Sequence, residues 1–342
     1  MSTSPTNTYR AIRLETIAPS FREGCVIREL PLSDPAPGEL RVRNLYCGIN
    51  GIFDTQIARN AVDYVKIALP TYTGVEALGV VEAVGESVAD FAPGDAVVTT
   101  RFTGGYREAN IAPAANFLKV PSAHPDWLAL CSTGVSAMVA LDVIGQLQPG
   151  ETVAISAAAG GLGHFLVQIA AARGCHVVAV CGGAQKAAFV RSLGAARVID
   201  YRAEDVATVL DSEYPNAIDV AVDTVSGAIF DAFLANLANH GRLVVGGAAA
   251  DLNGVPEIIS GPRIANAIYY KGASVRGFMN GLLTAHWPEA REKLFALYAE
   301  GKVKVHFDTP RFTGLEGIYD AVERLLSGAS SGKVIVDLRG AA

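Results

Sequence analysis

The stretch Glu151-Thr152-Val153-Ala154-Ile155-Ser156-Ala157-Ala158-Ala159-Gly160-Gly161-Leu162-Gly163-His164-Phe165 decides how this chain is read. Val153–Ile155 is a short apolar run that suits a buried strand. It stops at small residues, and from Phe165 the apolar spacing becomes helical through Ala172. Gly160, Gly161 and Gly163 stand at the turn between the two. A strand, a glycine turn and a helix start, in that order, form a cradle for a dinucleotide pyrophosphate. The glycines let backbone approach the phosphates, and the helix start offers N–H groups and a favourable dipole. Against G-x-G-x-x-G the first glycine is Ala158, while Gly160 and Gly163 keep the other two places. Glycines in a strand-to-helix turn can also serve only a tight connection, so the flanking pattern has to decide.

That pattern repeats. Strand His176–Val180, helix Gln185–Leu193 and the strand candidates Val198–Ile199, Ile218–Val222, Leu243–Val245 and Ser274–Arg276 follow in alternation. Gly174 and Gly194 suit the left-handed residue that ends a helix. Near-continuous apolar strands alternating with helices mean a parallel sheet covered on both faces. Before Asp126 the chain is β-rich. Val26–Leu30, Glu39–Asn44, Gly79–Val84 and Ala96–Thr100 are set off by turns such as Ala92-Pro93-Gly94-Asp95, and a short helix is expected around Phe53–Arg59. A helical stretch, His286–Ala299, leads to a last β-rich piece ending in Lys333–Leu338. The expected fold class is α/β, a doubly wound parallel sheet inserted into a β-rich domain. The β-rich domain takes residues 1–125 and 305–342, and the doubly wound domain takes 126–304.

Half of the 342 residues are hydrophobic and 18% are charged, which allows a large core and excludes wholesale disorder. The net charge of −6, with no local Lys/Arg cluster, excludes a nucleic-acid partner. Cys25, Cys47, Cys131, Cys175 and Cys181 are an odd set without C-x-x-C spacing, and read as reduced thiols of a cytoplasmic protein. No run is expected to span a membrane, and the polar start Ser2–Thr8 has no signal-like apolar region.

Taken together, the chain resembles the medium-chain dehydrogenase/reductase family along nearly its whole length. The resemblance rests on Gly48-Ile49-Asn50, Gly74-Val75-Glu76-Ala77-Leu78-Gly79, Val84-Gly85 with Pro93-Gly94-Asp95, Ser132-Thr133-Gly134, the turn at Ala158–Gly163 with Gln168, Leu193-Gly194-Ala195, and Gly332-Lys333. The β-rich part is then a GroES-like domain and the sheet a Rossmann domain. Within the family the chain is most similar to the zinc-independent quinone and enone reductases, in the 15-oxoprostaglandin 13-reductase-like branch. Phe189–Gly194, Ser274–Phe278 and Arg311–Glu316 carry the closer likeness.

The resemblance implies several roles. Alcohol dehydrogenases of the family hold catalytic zinc with two Cys and a His, and the matching positions here are Asn50, Val75 and Ala129. An amide, an isopropyl group and a methyl cannot make a thiolate–imidazole site, so no metal is expected. Without a Lewis acid, reduction of a conjugated C=C is the less demanding chemistry, because the charge is delocalised as an enolate. NADPH is the implied cofactor. The strand ending at Val180 is followed by no acid for a ribose 2′-OH, while Lys186 and Tyr201 match residues of NADPH-dependent relatives, and Gly182 replaces their Ser. Thr133, Gly134, Gly160, Gly161, Leu162, Gly163, Gly246, Gly247, Ala248, Phe278, Met279 and Lys333 complete the implied cofactor contacts. Asn50 is the leading catalytic residue, in the vacated ligand position. Tyr64 is a second, with Tyr72 and Tyr270 behind it, and each has a plain packing reading beside the functional one. His164 reads as a cap or surface residue rather than a base.

The implied protein is an NADPH-dependent reductase of α,β-unsaturated ketones or quinones, with a small-molecule enone or quinone as partner and a homodimer as its assembly. Two alternatives stay open at this point. One is a cofactor-binding adaptor or sensor without catalysis, and the other an enoyl-thioester reductase of a biosynthetic pathway.

Overall fold

The computed structural model describes residues 8–50, 56, 58, 59, 67–251 and 258–339. It divides into two compact units, Met1–Ser132 with Phe307–Ala342, and Thr133–His306, so the divisions fall a few residues later than the sequence boundaries above. The short helix expected at Phe53–Arg59 falls mostly outside the described residues.

The second unit is built on a six-stranded parallel sheet. Its strands, in spatial order, are Arg197–Asp200, His176–Cys181, Thr152–Ile155, Ile218–Asp223, Leu237–Val245 and Ser274–Gly277. In chain order this reads third, second, first, fourth, fifth, sixth. The order reverses between the first and fourth strands, and in such sheets ligands bind beyond the carboxyl ends at that reversal. The strands are apolar almost throughout because both faces are covered. Val153, Ala154 and Ile155 are fully buried, as are Val177–Val180 and Val220–Val222. Gly163–Ala172, Val135–Val139 and Trp287–Ala299 pack together, and Val206–Glu213 packs with Ala228–Ala235. Gly174 and Gly194 end their helices with φ of +73° and +106°, the left-handed conformation glycine adopts without a steric penalty. Phe165 and Phe233 are fully buried here; truncating either to Ala should cost about 3–5 kcal/mol.

The first unit is β-rich. Its larger sheet runs Phe312–Thr313, Ile335–Asp337, Glu39–Gly48, Glu76–Val84, Ala96–Thr99 and Leu118–Lys119, with Ala109–Pro113 also paired to Glu39–Gly48. A three-stranded sheet of Cys25–Pro31, Thr8–Leu14 and Thr71–Tyr72 accompanies it. The turn at Ala92–Asp95 closes as its composition suggests. Gly94 has φ of +95°, and the Asp95 carboxylate accepts the Ala92 N–H at 2.8 Å. One expectation needs correcting: the last β-rich piece contains the helix Gly317–Leu326. Ile318, Ala321 and Val322 are buried at i, i+3 and i+4, and they pack into a core with Ile12, Leu14, Cys47 and Val336.

A second correction concerns membranes. Helix Asp126–Ile144 is long and apolar enough to cross one by length and composition, with a mean hydropathy of 1.7. Its most apolar window is 61% buried inside the protein, and Leu128, Leu130, Met138 and Leu141 are fully buried. It is apolar because it is a core helix.

Candidate active site

The glycine turn lies where the quoted stretch puts it. Strand Thr152–Ile155 ends, seven residues, Ser156 to Leu162, make the turn, and the helix begins at Gly163. A Cβ on Gly163 would come 2.3 Å from the Ala157 carbonyl oxygen and 2.7 Å from the Ala158 Cα. Only a glycine lets the helix start this close to the strand end, which keeps its first N–H groups at the turn. Gly160, Gly161 and Leu162 form the half-buried rim. The neighbouring loop is fixed by a buried carboxylate. Asp223 accepts the Ser156 hydroxyl at 2.6 Å and the N–H groups of Val225 and Ser226 at 2.9 Å each, while Ser156 Oγ accepts the Thr224 N–H. These bonds tie the ends of the first and fourth strands at the reversal. Ser156 and Asp223 were not foreseen, and nothing but their place at two strand ends signals them.

Beyond the second strand the structure brings together Gly182, Lys186 and Tyr201. A Cβ on Gly182 would collide with the Tyr201 ring, 2.4 Å from Cζ, so the glycine and the tyrosine share one space. Lys186 lies in the first turn of helix Ala184–Ser192, half-buried, and its charge acts on the thiol of Cys181 at the strand end. Burial dominates there and pushes that thiol up to about 11, so it stays protonated at neutral pH. Asp200 and Arg202 were missed. Asp200 ends the third strand opposite Cys181 and accepts the N–H groups of Gly183 at 2.7 Å and Arg202 at 3.0 Å, and these bonds hold its carboxyl below the ordinary value. The run Asp200-Tyr201-Arg202 after an apolar strand was the available signal. Tyr201 also borders an open cleft of about 530 Å³, whose charged lining is Arg202, Glu204 and Asp205.

At the ends of the fifth and sixth strands, Gly246 and Phe278 meet. The Phe278 N–H donates to Val245 O at 2.8 Å, and a Cβ on Gly246 would lie 3.3 Å from the Phe278 ring. Gly247 and Ala248 are half-buried beside them, and Met279 is exposed. Thr133 is half-buried and Gly134 buried at the end of the helical turns Leu130–Gly134. His164 is not a surface residue: it is fully buried, with Nδ1 3.0 Å from Gly160 O. Gln168 is structural, since its side chain bonds both the carbonyl and the N–H of Lys304.

In the first unit, Asn50, Glu76 and Lys333 form one cluster. Lys333 is 2% exposed and Glu76 is 1% exposed, and their charged atoms are 2.5 Å apart. Lys333 Nζ also donates to Ile49 O at 2.9 Å and to Asn50 Oδ1 at 3.1 Å. Asn50 Nδ2 donates to Glu76 Oε1 at 2.8 Å. Three donations from one ammonium satisfy it fully, as a buried charge requires. Gly48 explains itself here. It is the register partner of Glu76, and a Cβ on it would lie 2.1 Å from Glu76 Oε1 and 2.9 Å from Lys333 Cε. Tyr64 lies outside the described residues. Tyr72 packs under the Arg107 guanidinium, 4.8 Å from its ring centre, and Tyr270 is exposed.

The donor chemistry does not fit zinc. At the three matching positions stand an amide, a valine and an alanine, and the amide is engaged by a carboxylate and an ammonium. Among the described residues no three His, Cys, Asp or Glu side chains gather.

A 3-2-1-4-5-6 parallel sheet with a glycine phosphate turn, accompanied by a β-rich unit, is the architecture of the medium-chain dehydrogenases/reductases. The chain belongs to that family, in its quinone and prostaglandin reductase branch. Residues 36–122 match the alcohol dehydrogenase GroES-like domain, and residues 161–296 match the zinc-binding dehydrogenase family. Prostaglandin reductase-3 of Mus musculus is 35% identical over 97% of this chain and 90% of its own length. A probable quinone oxidoreductase of Leishmania amazonensis is 31% identical, over 98% of this chain and 99% of its own. The crystal structure of Escherichia coli quinone oxidoreductase complexed with NADPH superposes with a TM-score of 0.81 at 27% identity, covering 96% of this chain and 99% of that one.

Proposed function

We propose that this protein is an NADPH-dependent, metal-independent reductase of the conjugated C=C bond of α,β-unsaturated ketones or quinones. The observation that carries the reading is Asn50, an amide tied between Glu76 and Lys333 where zinc-dependent relatives keep a metal ligand. Bound NADPH supplies a hydride from C4 of its nicotinamide. The protein's part is binding, orientation and charge stabilisation. Gly160, Gly161, Leu162 and Gly163 hold the pyrophosphate at the helix start, and Lys186 and Tyr201 receive the 2′-phosphate. Thr133, Gly134, Gly246, Gly247, Ala248, Phe278 and Met279 complete the cofactor's seat. Asn50 orients the reacting group. Hydride adds to the electrophilic β-carbon, the electron pair moves onto oxygen as an enolate, and a solvent proton completes the α-carbon. From an enone the product is the saturated ketone, and from a quinone, after tautomerisation, the hydroquinone. No step asks for polarisation of an isolated carbonyl, so saturated ketones and simple alcohols are poor substrates.

The two units serve as the GroES-like and Rossmann domains of this enzyme. None of its five cysteines is in a disulfide, which supports a reducing compartment, the cytoplasm. It works as a homodimer. In support, Ser274–Gly277 is an edge strand with a single neighbour among the described residues, and Tyr269, Tyr270 and Leu282 nearby in sequence are 78%, 79% and 83% exposed. NADPH oxidation followed against a panel of enones, quinones and enoyl thioesters tests the function. Consumption only with the thioesters, or with none of them, would reject it.

A further inference from the structure

Among the described residues, the side chains of the buried Glu76–Lys333 pair make polar contacts only with each other, Asn50 and Ile49. Of the three side chains only Asn50 is half-buried; the two charges are sealed beneath it. Such an arrangement is costly to assemble. Replacing a buried ion pair with apolar residues of similar volume often leaves a fold as stable or more so. A fold that keeps one, and keeps Gly48 without a side chain to make room for it, is using it for something besides stability.

We infer that Glu76 and Lys333 are positioning residues, which lock the Asn50 amide in one orientation for catalysis. The inference rests on the reading of Asn50 as the amide at the reacting end. The physical basis is the polarity of the amide. Its Oδ1 faces the ammonium at 3.1 Å and its Nδ2 faces the carboxylate at 2.8 Å. Turned over, the carbonyl would face a carboxylate and the NH2 group an ammonium. Both contacts would then be repulsive, in a setting where water does not screen them. An asparagine on a loose strand end samples both orientations, whereas this one is held in a single orientation from both sides. The strand supplies the same message, because Ile49 contributes the third acceptor for Lys333 and Gly48 the space. Gly48-Ile49-Asn50 thus acts as a unit, each residue serving the pair or being held by it. Lys333, matched by sequence to a cofactor contact, acts one step behind the site.

The test is a mutant cycle on the full-length enzyme with NADPH and 3-nonen-2-one as the probe substrate, reading kcat, KM and the NADPH Kd. Glu76→Leu/Lys333→Met removes both charges together and keeps the volume. It should lower kcat about 10–100-fold, the loss that misorientation of a reacting group produces, with the NADPH Kd within about threefold. Asn50→Ala should lower kcat to a similar degree. The triple variant should lose no more than Asn50→Ala alone, because all three residues act through one amide. A triple variant whose loss is the product of the two separate losses overturns the inference, as does a double variant with native kcat. If the double variant does not fold, Glu76→Gln takes its place, keeping an oxygen acceptor. It should lower kcat less than Asn50→Ala and add nothing to it, and additivity there again overturns the inference. A native enzyme that turns over the probe while Asn50→Ala keeps full kcat rejects the role of Asn50 itself. No turnover of the probe by the native enzyme rejects the functional reading and, with it, the inference.

Discussion

The ring of Tyr201 occupies the space that a side chain on residue 182 would need: a Cβ built on Gly182 would stand 2.4 Å from the ring Cζ and 2.5 Å from the hydroxyl oxygen. Because the colliding atoms are the tip of a half-exposed side chain, Gly182→Ala should fold normally and displace Tyr201. Fluorescence titration should show weaker NADPH binding with NADH binding preserved. Unchanged NADPH affinity would mean that Tyr201 does not touch the 2′-phosphate.

On the proposed assignment Lys186 pairs with that phosphate. Lys186→Ala should weaken NADPH binding by about 1–3 kcal/mol, the range for a charge-assisted hydrogen bond, and leave NADH nearly unchanged. The same titration decides it, and equal losses for both cofactors would point to a general effect on the loop.

Asp200 predicts a pH dependence. Bonds from the Gly183 and Arg202 N–H groups lower its folded pKa below the ordinary value of 3.8. A depressed carboxylate contributes stability that is fully present above the unfolded pKa and is lost as pH falls through the folded one. The stability difference between the native chain and Asp200→Asn should therefore stay flat from about pH 8 to pH 5 and shrink only below the ordinary carboxylate range. Thermal melts across pH read it out, and a difference that closes near neutrality would contradict the assignment.

The exposed tyrosines beside the edge strand bear on assembly. Sedimentation should give a dimer, and Tyr269→Arg/Tyr270→Arg should give a monomer that still binds NADPH. A native monomer at micromolar concentration would remove the homodimer.

Much of this was legible in the sequence, for reasons that differ by region. The parallel sheet could be read because its strands are buried on both faces, so Val153–Ile155 and Val177–Val180 stand out as apolar runs between glycines. Helix Gly317–Leu326 escaped notice because it is short and lies between two strands, although its i, i+3, i+4 spacing was present. The phosphate turn was legible because backbone geometry dictates glycine there. Glu76 was not, since a lone carboxylate in a strand says nothing about which cation meets it. Its partner is Lys333, some 250 residues away in sequence, and only the antiparallel pairing of Gly48 with both Glu76 and Ile335 brings them together. Asp200 is silent for a similar reason. A ribose-binding acid belongs after the second strand, whereas the acid that organises the loop comes from the third.

Hydride delivery to a conjugated carbon without a metal is tested most directly by isotope transfer. With NADPH deuterated at C4 and an enone substrate, in chelator, the label should appear on the β-carbon of a saturated ketone, with the α-proton drawn from solvent. Label on the carbonyl carbon of an allylic alcohol would contradict the claim and make the protein a carbonyl reductase.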